Sequence, residues 1–412
     1  MRPGGNLVHL RLSAMMFLQY FVWGAWFVPL GTYMAAARHF TAGDIGMAFG
    51  MQGVGAIIAP LAVGVIADRF MASQKVFGLL HLAAAVAMYL LAGAAGARPF
   101  LAMVLVYFVL YMPTLPIANA ISFGALRNVE QEFPAIRVFG TIGWICSGLA
   151  IGLIPGAATS GLPMGISAIG SLVLGVYAFS LPDVPPRGRA QGSGVMALLG
   201  LDILAGMKSR SFWVLIAGST LLVIPLSFYY AFTNPFLSAL HARLPLFSLS
   251  LEPTGMMVFG QLSETLFIVL LPVLLRHGGI RRIMIAGMLA WVARYLCFAY
   301  GFTAAGPITG LLMIGILLHG VCYDFFFVAG QIHVDQAFDP SQRARAQSFL
   351  ALMTLGVGQV AGSNLAGRIV EAASSGGVVD WRVVWLLPAA LALVVALGFA
   401  LLFRAEQGKA AG

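Results

Sequence analysis

Apolar residues run along this chain in blocks of about 20, each closed by a charge, a proline or a glycine cluster. Blocks of that length match the thickness of a bilayer's hydrocarbon, and neither a strand alternation nor a one-sided helical stripe describes them. About twelve such segments can be cut. Their centres lie near Trp23, Gly55, Ala85, Tyr111, Gly148, Leu172, Leu226, Phe267, Ala290, Cys322, Gly358 and Leu393. A single long polar break interrupts the series at Leu181 to Ser211, where Pro182, Pro185, Pro186, Gly188 and Gly192 to Gly194 make a linker and an amphipathic piece follows around Leu198 to Lys208. The pattern predicts an all-α membrane protein of about twelve transmembrane helices in two six-helix bundles. The expected units are residues 1–181, a cytoplasmic central loop 182–210, and residues 211–412.

Composition agrees with the pattern. Of 412 residues, 60% are hydrophobic and 9% charged, and the mean hydropathy of +0.94 excludes an ordinary soluble domain. The net charge of +9 could suggest nucleic acid, but the basic residues stand singly between apolar runs and form no stripe, so they are read as loop charge that sets topology. With the N-terminus inside, only Arg38, Arg98, Arg243, Arg368 and Arg382 fall outside, and Arg294 lies within a span; both termini are therefore expected in the cytoplasm. Met1 to Leu30 imitates a secretion signal, but its apolar run is too long and is read as the first span. Cys146, Cys297 and Cys322 lie in apolar segments without a C-x-x-C or a histidine cluster, which points away from disulfides and metal. Glycine, 49 residues of it, recurs in motifs such as Gly46-x-x-x-Gly50 and Gly358-x-x-x-Gly362, as helix packing in membranes requires.

Against that apolar background, polar residues within spans are the candidates for function. Asp324 stands in the middle of His319 to Asp335, and a carboxylate at the centre of a membrane helix costs about 2.5 to 3.5 kcal/mol, so it should face a wet or protein-lined cavity. His319 and Tyr323 share its turn; His319 could relay protons or simply hydrogen-bond in the core. Gln261 and Glu264, at i and i+3, form a polar face on the eighth span able to grip hydroxyls or base edges, helix packing being the alternative. Arg137, Thr141 and Trp144, at i, i+4 and i+7, share a face of the fifth, where an indole could stack on a base. Arg137 could equally be a snorkelling arginine near the cytoplasmic end. On the first span Gln19, Trp23 and Trp26 share a face; Gln19 is expected in the cavity, with an interfacial anchor as the alternative role of Trp26.

The loop Gly64-Val65-Ile66-Ala67-Asp68-Arg69, between the second and third spans, resembles the G-x-x-x-D-R/K signature of the major facilitator superfamily. Further stretches narrow the resemblance: Phe17-Leu18-Gln19-Tyr20, Tyr111-Met112-Pro113-Thr114-Leu115, Phe133-Pro134-Ala135-Ile136-Arg137, Gln261-Leu262-Ser263-Glu264 and Tyr323-Asp324-Phe325-Phe326. Together they resemble the bacterial nucleoside:proton symporter family, almost end to end. That resemblance implies a proton-coupled nucleoside importer of the bacterial inner membrane, working by alternating access as a monomer in the lipid bilayer, without cofactor, metal or nucleic acid. It implies substrate contacts from Gln19, Arg137, Thr141, Trp144, Gln261, Glu264, His319, Tyr323 and Asp324, proton coupling at Asp324 and Glu264, and gating by Asp68 and Arg69. In the seventh span, where family members can carry amides, Ser227, Phe228, Tyr229 and Tyr230 stand here, and Ser227 and Tyr230 are the expected replacements. A transporter of another small polar solute, such as a sugar, nucleobase or drug, is the alternative. An enzyme is not expected, since no H-E-x-x-H, G-x-S-x-G or phosphate loop is present.

Overall fold

The computed structural model describes residues 3–62, 71–185, 195–205 and 209–404. Eleven of its helices are long and apolar enough to cross a membrane, and a twelfth is apolar but shorter. In chain order they are α1 (Asn6–Ala37), α2 (Ala42–Pro60), α3 (Ser73–Gly93), α4 (Ala97–Ala125), α5 (Val129–Gly152), α6 (Leu162–Ala178), α7 (Arg210–Ala239), α8 (Pro253–Gly278), α9 (Ile280–Tyr300), α10 (Thr309–Ala337), α11 (Gln342–Ala372) and α12 (Trp381–Leu402). Each segment centre read from the sequence falls within its helix. The shortest of them, α6, has 17 residues and is bounded by Gly161 and by the turn from Phe179 to Leu181.

The helices pack as two related six-helix bundles. In the first, α1 lies along α5, α3 along α6 and α2 along α4; in the second, α7 lies along α11, α9 along α12 and α8 along α10. Adding six to each number of the first set gives the second. The repeat that the sequence shows only as hydropathy is thus a repeat of neighbours. The bundles meet where α2 packs on α11 and α5 on α8, a pair of contacts that the same shift exchanges.

Glycines set those interfaces. A Cβ at Gly46 would run into the Ser363 carbonyl oxygen, and one at Gly53 would lie 2.7 Å from the Gly356 carbonyl, so α2 and α11 touch backbone to backbone. Within the first bundle, a Cβ at Gly143 would collide with the Phe17 carbonyl oxygen, which brings α5 against α1 at the level of the candidate residues of both. In the second, a Cβ at Gly320 would sit 2.5 Å from Ser263, and the Ser263 hydroxyl donates to the Leu317 carbonyl at 2.5 Å; α10 is clamped to α8 there.

The loops α7–α8, α9–α10 and α11–α12 each form a small antiparallel hairpin, at Leu244–Leu246 with Leu249–Leu251, Phe302–Thr303 with Gly306–Pro307, and Ser374–Ser375 with Val378–Val379. These strands were not foreseen in the sequence; the last turns on Gly376 and Gly377 at φ 58° and 82°. The hairpins lie at one end of the molecule. At that end α1, α7 and α8 are joined across the bundles: the Thr32 hydroxyl donates to Asn234 Oδ1 at 2.5 Å and Asn234 Nδ2 to the Thr254 hydroxyl at 3.0 Å. The expected amphipathic piece of the central loop is instead a helical turn, Val195–Leu198, and a 3-10 turn, Leu201–Ala205, separated at Gly200, whose φ of +70° breaks the helix. Residues 206–208 lie outside the described part.

If the α1–α5 crossing depends on the missing side chain, Gly143→Ala should destabilise the protein by roughly 1 to 3 kcal/mol despite alanine's better helix propensity. Gly398→Ala, in α12 with no atom within 4 Å of its added carbon, should be neutral or stabilising. Thermal melting in detergent compares the two; equal melting temperatures would contradict the close crossing.

Candidate functional site

The α1–α5 crossing determines the aromatic wall of the site. Because Gly24 presents no side chain, the indole of Trp144 on α5 lies against it, 3.0 Å from where a Cβ would be. Trp144 then meets Trp23 edge to face, ring centres 5.3 Å apart, and Trp23 in turn packs on Tyr111 and Phe27. Two turns along α5 from Trp144, toward the end expected in the cytoplasm, the Arg137 guanidinium stacks over the Tyr20 ring at 4.3 Å and is only half-buried. Thr141 stands between Arg137 and Trp144, also half-buried.

The α8–α10 clamp builds the opposite wall. Gly260 and Gly320 let the two helices approach, and a Cβ at Gly260 would lie 3.2 Å from both His319 Cβ and the Tyr229 hydroxyl. His319, fully buried, then places Nε2 3.5 Å from Oε2 of Glu264, whose side chain is 33% exposed. On its other edge Nδ1 is 3.0 Å from Nη1 of Arg294, a fully buried arginine of α9. The Arg294 guanidinium lies over the Tyr229 ring at 3.4 Å, and Tyr229 stacks on His319 at 5.0 Å. Tyr230 meets His319 edge to face at 6.1 Å and Phe27 of the other bundle at 5.9 Å.

The two walls face each other. Trp144, Tyr229, Tyr230, Thr254 and Gln261 line one small cavity of about 10 Å³, near the room one water molecule needs. A larger cavity, about 1070 Å³, opens at the hairpin end beyond the Thr32–Asn234–Thr254 bonds, among Phe40, His241, Arg243, Glu252 and Trp381. It contains none of the candidate residues.

Asp324 is buried on α10 with no hydrogen-bond partner for either carboxyl oxygen. It begins a π-helical turn, Asp324–Val328, on which Gly287 of α9 packs closely. Such widened turns re-aim side chains and recur at functional positions. An ionised carboxylate in that setting costs several kcal/mol, and taking up a proton removes the cost. Tyr323 precedes it, half-buried, packed on Phe327 at 5.3 Å and 5.9 Å from His319.

Two expected members of the group lie elsewhere. Gln19 is fully buried in the first bundle: its Nε2 donates to the Thr114 hydroxyl at 2.6 Å, its Oε1 is 2.6 Å from His81 Nε2, and the Tyr111 hydroxyl donates to its carbonyl at 2.6 Å. Its amide is used by α3 and α4, not by a cavity. Ser227 is buried against Gly362 of α11 and its hydroxyl donates to the Val223 carbonyl of its own helix at 2.8 Å, so of the seventh-span pair only Tyr230 reaches the site. Asp68 and Arg69 lie outside the described residues. Sequence reasoning passed over Arg294, counted only as a charge within a span, although a fully buried guanidinium carries the same signal that singled out Asp324.

Paired six-helix bundles with polar and ionisable side chains inside the spans have the architecture of the major facilitator transporters, and solved transporters of this fold superpose throughout. A POT family peptide transporter, 15% identical, covers 97% of the chain and 97% of its own with a TM-score of 0.74. The description "Nucleoside H+ symporter" belongs to a family whose model matches residues 7–408. The chain belongs to that family and is a proton-coupled transporter of nucleosides, not an enzyme. YegT of Escherichia coli (strain K12) is 37% identical over 411 residues, covering 97% of this chain and 94% of YegT. The xanthosine permease of the same organism is 35% identical over 401 residues, 95% of each. The crystal structure of the nucleoside transporter NupG matches with a TM-score of 0.86 at 30% identity, covering 97% of this chain and all of that one.

Since Gln19 satisfies buried partners on two other helices, Gln19→Leu should cost roughly 1 to 3 kcal/mol of stability and leave nucleoside affinity unchanged. Parallel melting and binding titrations check this; wild-type stability with weakened binding would return Gln19 to the cavity.

Proposed function

We propose that this chain imports nucleosides across the bacterial inner membrane by alternating access, with both termini cytoplasmic, the bundles of residues 1–181 and 211–412 as moving bodies, and the lipid-embedded monomer as the working unit. The observation that carries the reading is the meeting of Trp144, from one bundle, with Tyr230 and Gln261, from the other, at one small cavity, with Glu264 one turn along α8 from Gln261 and an unpartnered buried Asp324 on α10. An indole face suits a flat base, and an amide and a carboxylate on one helix face suit the paired hydroxyls of ribose. Arg137 and Thr141 add donors on the base side.

Asp324 and Glu264 are the proton-coupling groups in this proposal. Asp324 has no partner in this arrangement, so its proton is the one whose release requires the site to change, and substrate bound at the neighbouring Glu264 couples the two events. Positive-inside loop charge supports placing the hairpin end outside. Below the large cavity of that end the bundles are joined by the Thr32–Asn234–Thr254 bonds, and the half-exposed Arg137 and Glu264 lie on the other side of them.

Asp324→Asn keeps the shape and removes the titration. It should abolish accumulation against a gradient while leaving exchange of labelled for unlabelled uridine across proteoliposomes; gradient-driven accumulation by the variant would remove Asp324 from coupling. Loss of the stacking surface in Trp144→Ala should weaken nucleoside binding roughly tenfold, read by calorimetry. Unchanged binding would place the base elsewhere.

A further inference from the structure

The Arg294–His319 pair is not used in the mechanism above, and it has a determinate chemistry. A guanidinium has donors only and is always charged. His319 Nδ1, 3.0 Å from Arg294 Nη1, must therefore accept, so the ring's proton sits on Nε2, which is 3.5 Å from Glu264 Oε2 and makes no hydrogen bond in this arrangement. A second ring proton would have to sit on Nδ1, facing the guanidinium. The groups around the ring on every side are Arg294 on α9, Tyr229 and Tyr230 on α7, Glu264 on α8 and Tyr323 on its own helix. Among the described residues no carboxylate forms an ion pair with Arg294; its route to one runs through His319 to Glu264.

We propose that Arg294 and His319 are positioning residues: Arg294 fixes His319 as the neutral Nε2–H tautomer, and His319 presents that proton to one oxygen of Glu264, closing the 3.5 Å gap to a hydrogen bond when the other oxygen holds the nucleoside. His319 is thereby a fixed donor and not a proton carrier. The inference rests on Glu264 being a substrate ligand, and it deepens that reading by giving the carboxylate a defined orientation. Glu264 is partly exposed while His319 and Arg294 are fully buried, so the fixed part of the chain lies in the protein and the carboxylate at its accessible end.

Glutamine reproduces this polarity, since its amide can donate to Glu264 and accept from Arg294 but cannot titrate between them. His319→Gln should therefore bind uridine within a few-fold of wild type and still accumulate it down a proton gradient, whereas His319→Met, similar in size and without a donor, should bind roughly 10- to 100-fold more weakly. Arg294→Met should behave like His319→Met. Folding of each variant is monitored by melting. The tautomer is read without any substrate from nitrogen-15 histidine spectra of the full chain in nanodiscs, the His319 signal being the one absent in His319→Gln. A protonated Nε2 with a bare Nδ1 supports the proposal; the opposite tautomer, a doubly protonated ring, or loss of gradient-driven uptake in a folded His319→Gln overturns it. If wild-type protein binds no nucleoside, the substrate reading fails while the spectrum still decides the tautomer.

Discussion

A charge in the membrane interior has to be answered by the protein, because lipid supplies neither hydrogen bonds nor counter-charge. Here the answer is assembled from four helices: Arg294 of α9 bonds His319 of α10, His319 faces Glu264 of α8, and Tyr229 of α7 stacks on both the guanidinium and the imidazole. Much else in the second bundle follows from keeping these groups in reach. Gly260 and Gly320 hold α8 and α10 close, the Ser263–Leu317 bond sets their register, and the register decides where Glu264 emerges.

The first bundle contributes a surface of a different kind. Its wall is aromatic and depends on glycine contacts, with Gly143 against the Phe17 backbone and Gly24 under Trp144. Its own buried polar residues, Gln19, His81, Thr114 and the Tyr111 hydroxyl, bond to each other and fix α1, α3 and α4. One bundle therefore offers a rigid stacking face and the other a polar, titratable one. In the proposed alternating access, rocking of the two about that plane changes access without dismantling either.

Much of this was legible in the sequence. Twelve apolar blocks gave twelve helices, because a bilayer fixes element length more tightly than a soluble core does. Residues on one helical face, such as Arg137, Thr141 and Trp144, or Gln261 and Glu264, kept their shared face in the structure. Pairings across helices were not legible. Gln19 has the spacing of a cavity residue, but whether an amide meets solvent or His81 depends on which helix lies alongside, and hydropathy does not encode that. Ser227 was lost for the same reason, since the seventh helix turns it toward Gly362. Arg294 was legible as an arginine within a span, but its partner was not, because His319 comes into reach only once α9 is placed beside α10.

The central claim is that nucleoside and proton cross together through this interface. The direct measurement is proton flux into proteoliposomes of the purified protein, followed with a trapped pH-sensitive dye when uridine is added outside with no initial pH gradient. Uridine-dependent acidification of the lumen, lost in Asp324→Asn while uridine exchange persists, is the predicted result. Uridine entering the wild-type vesicles with no change in internal pH would contradict the coupling and with it the role given to the buried carboxyls.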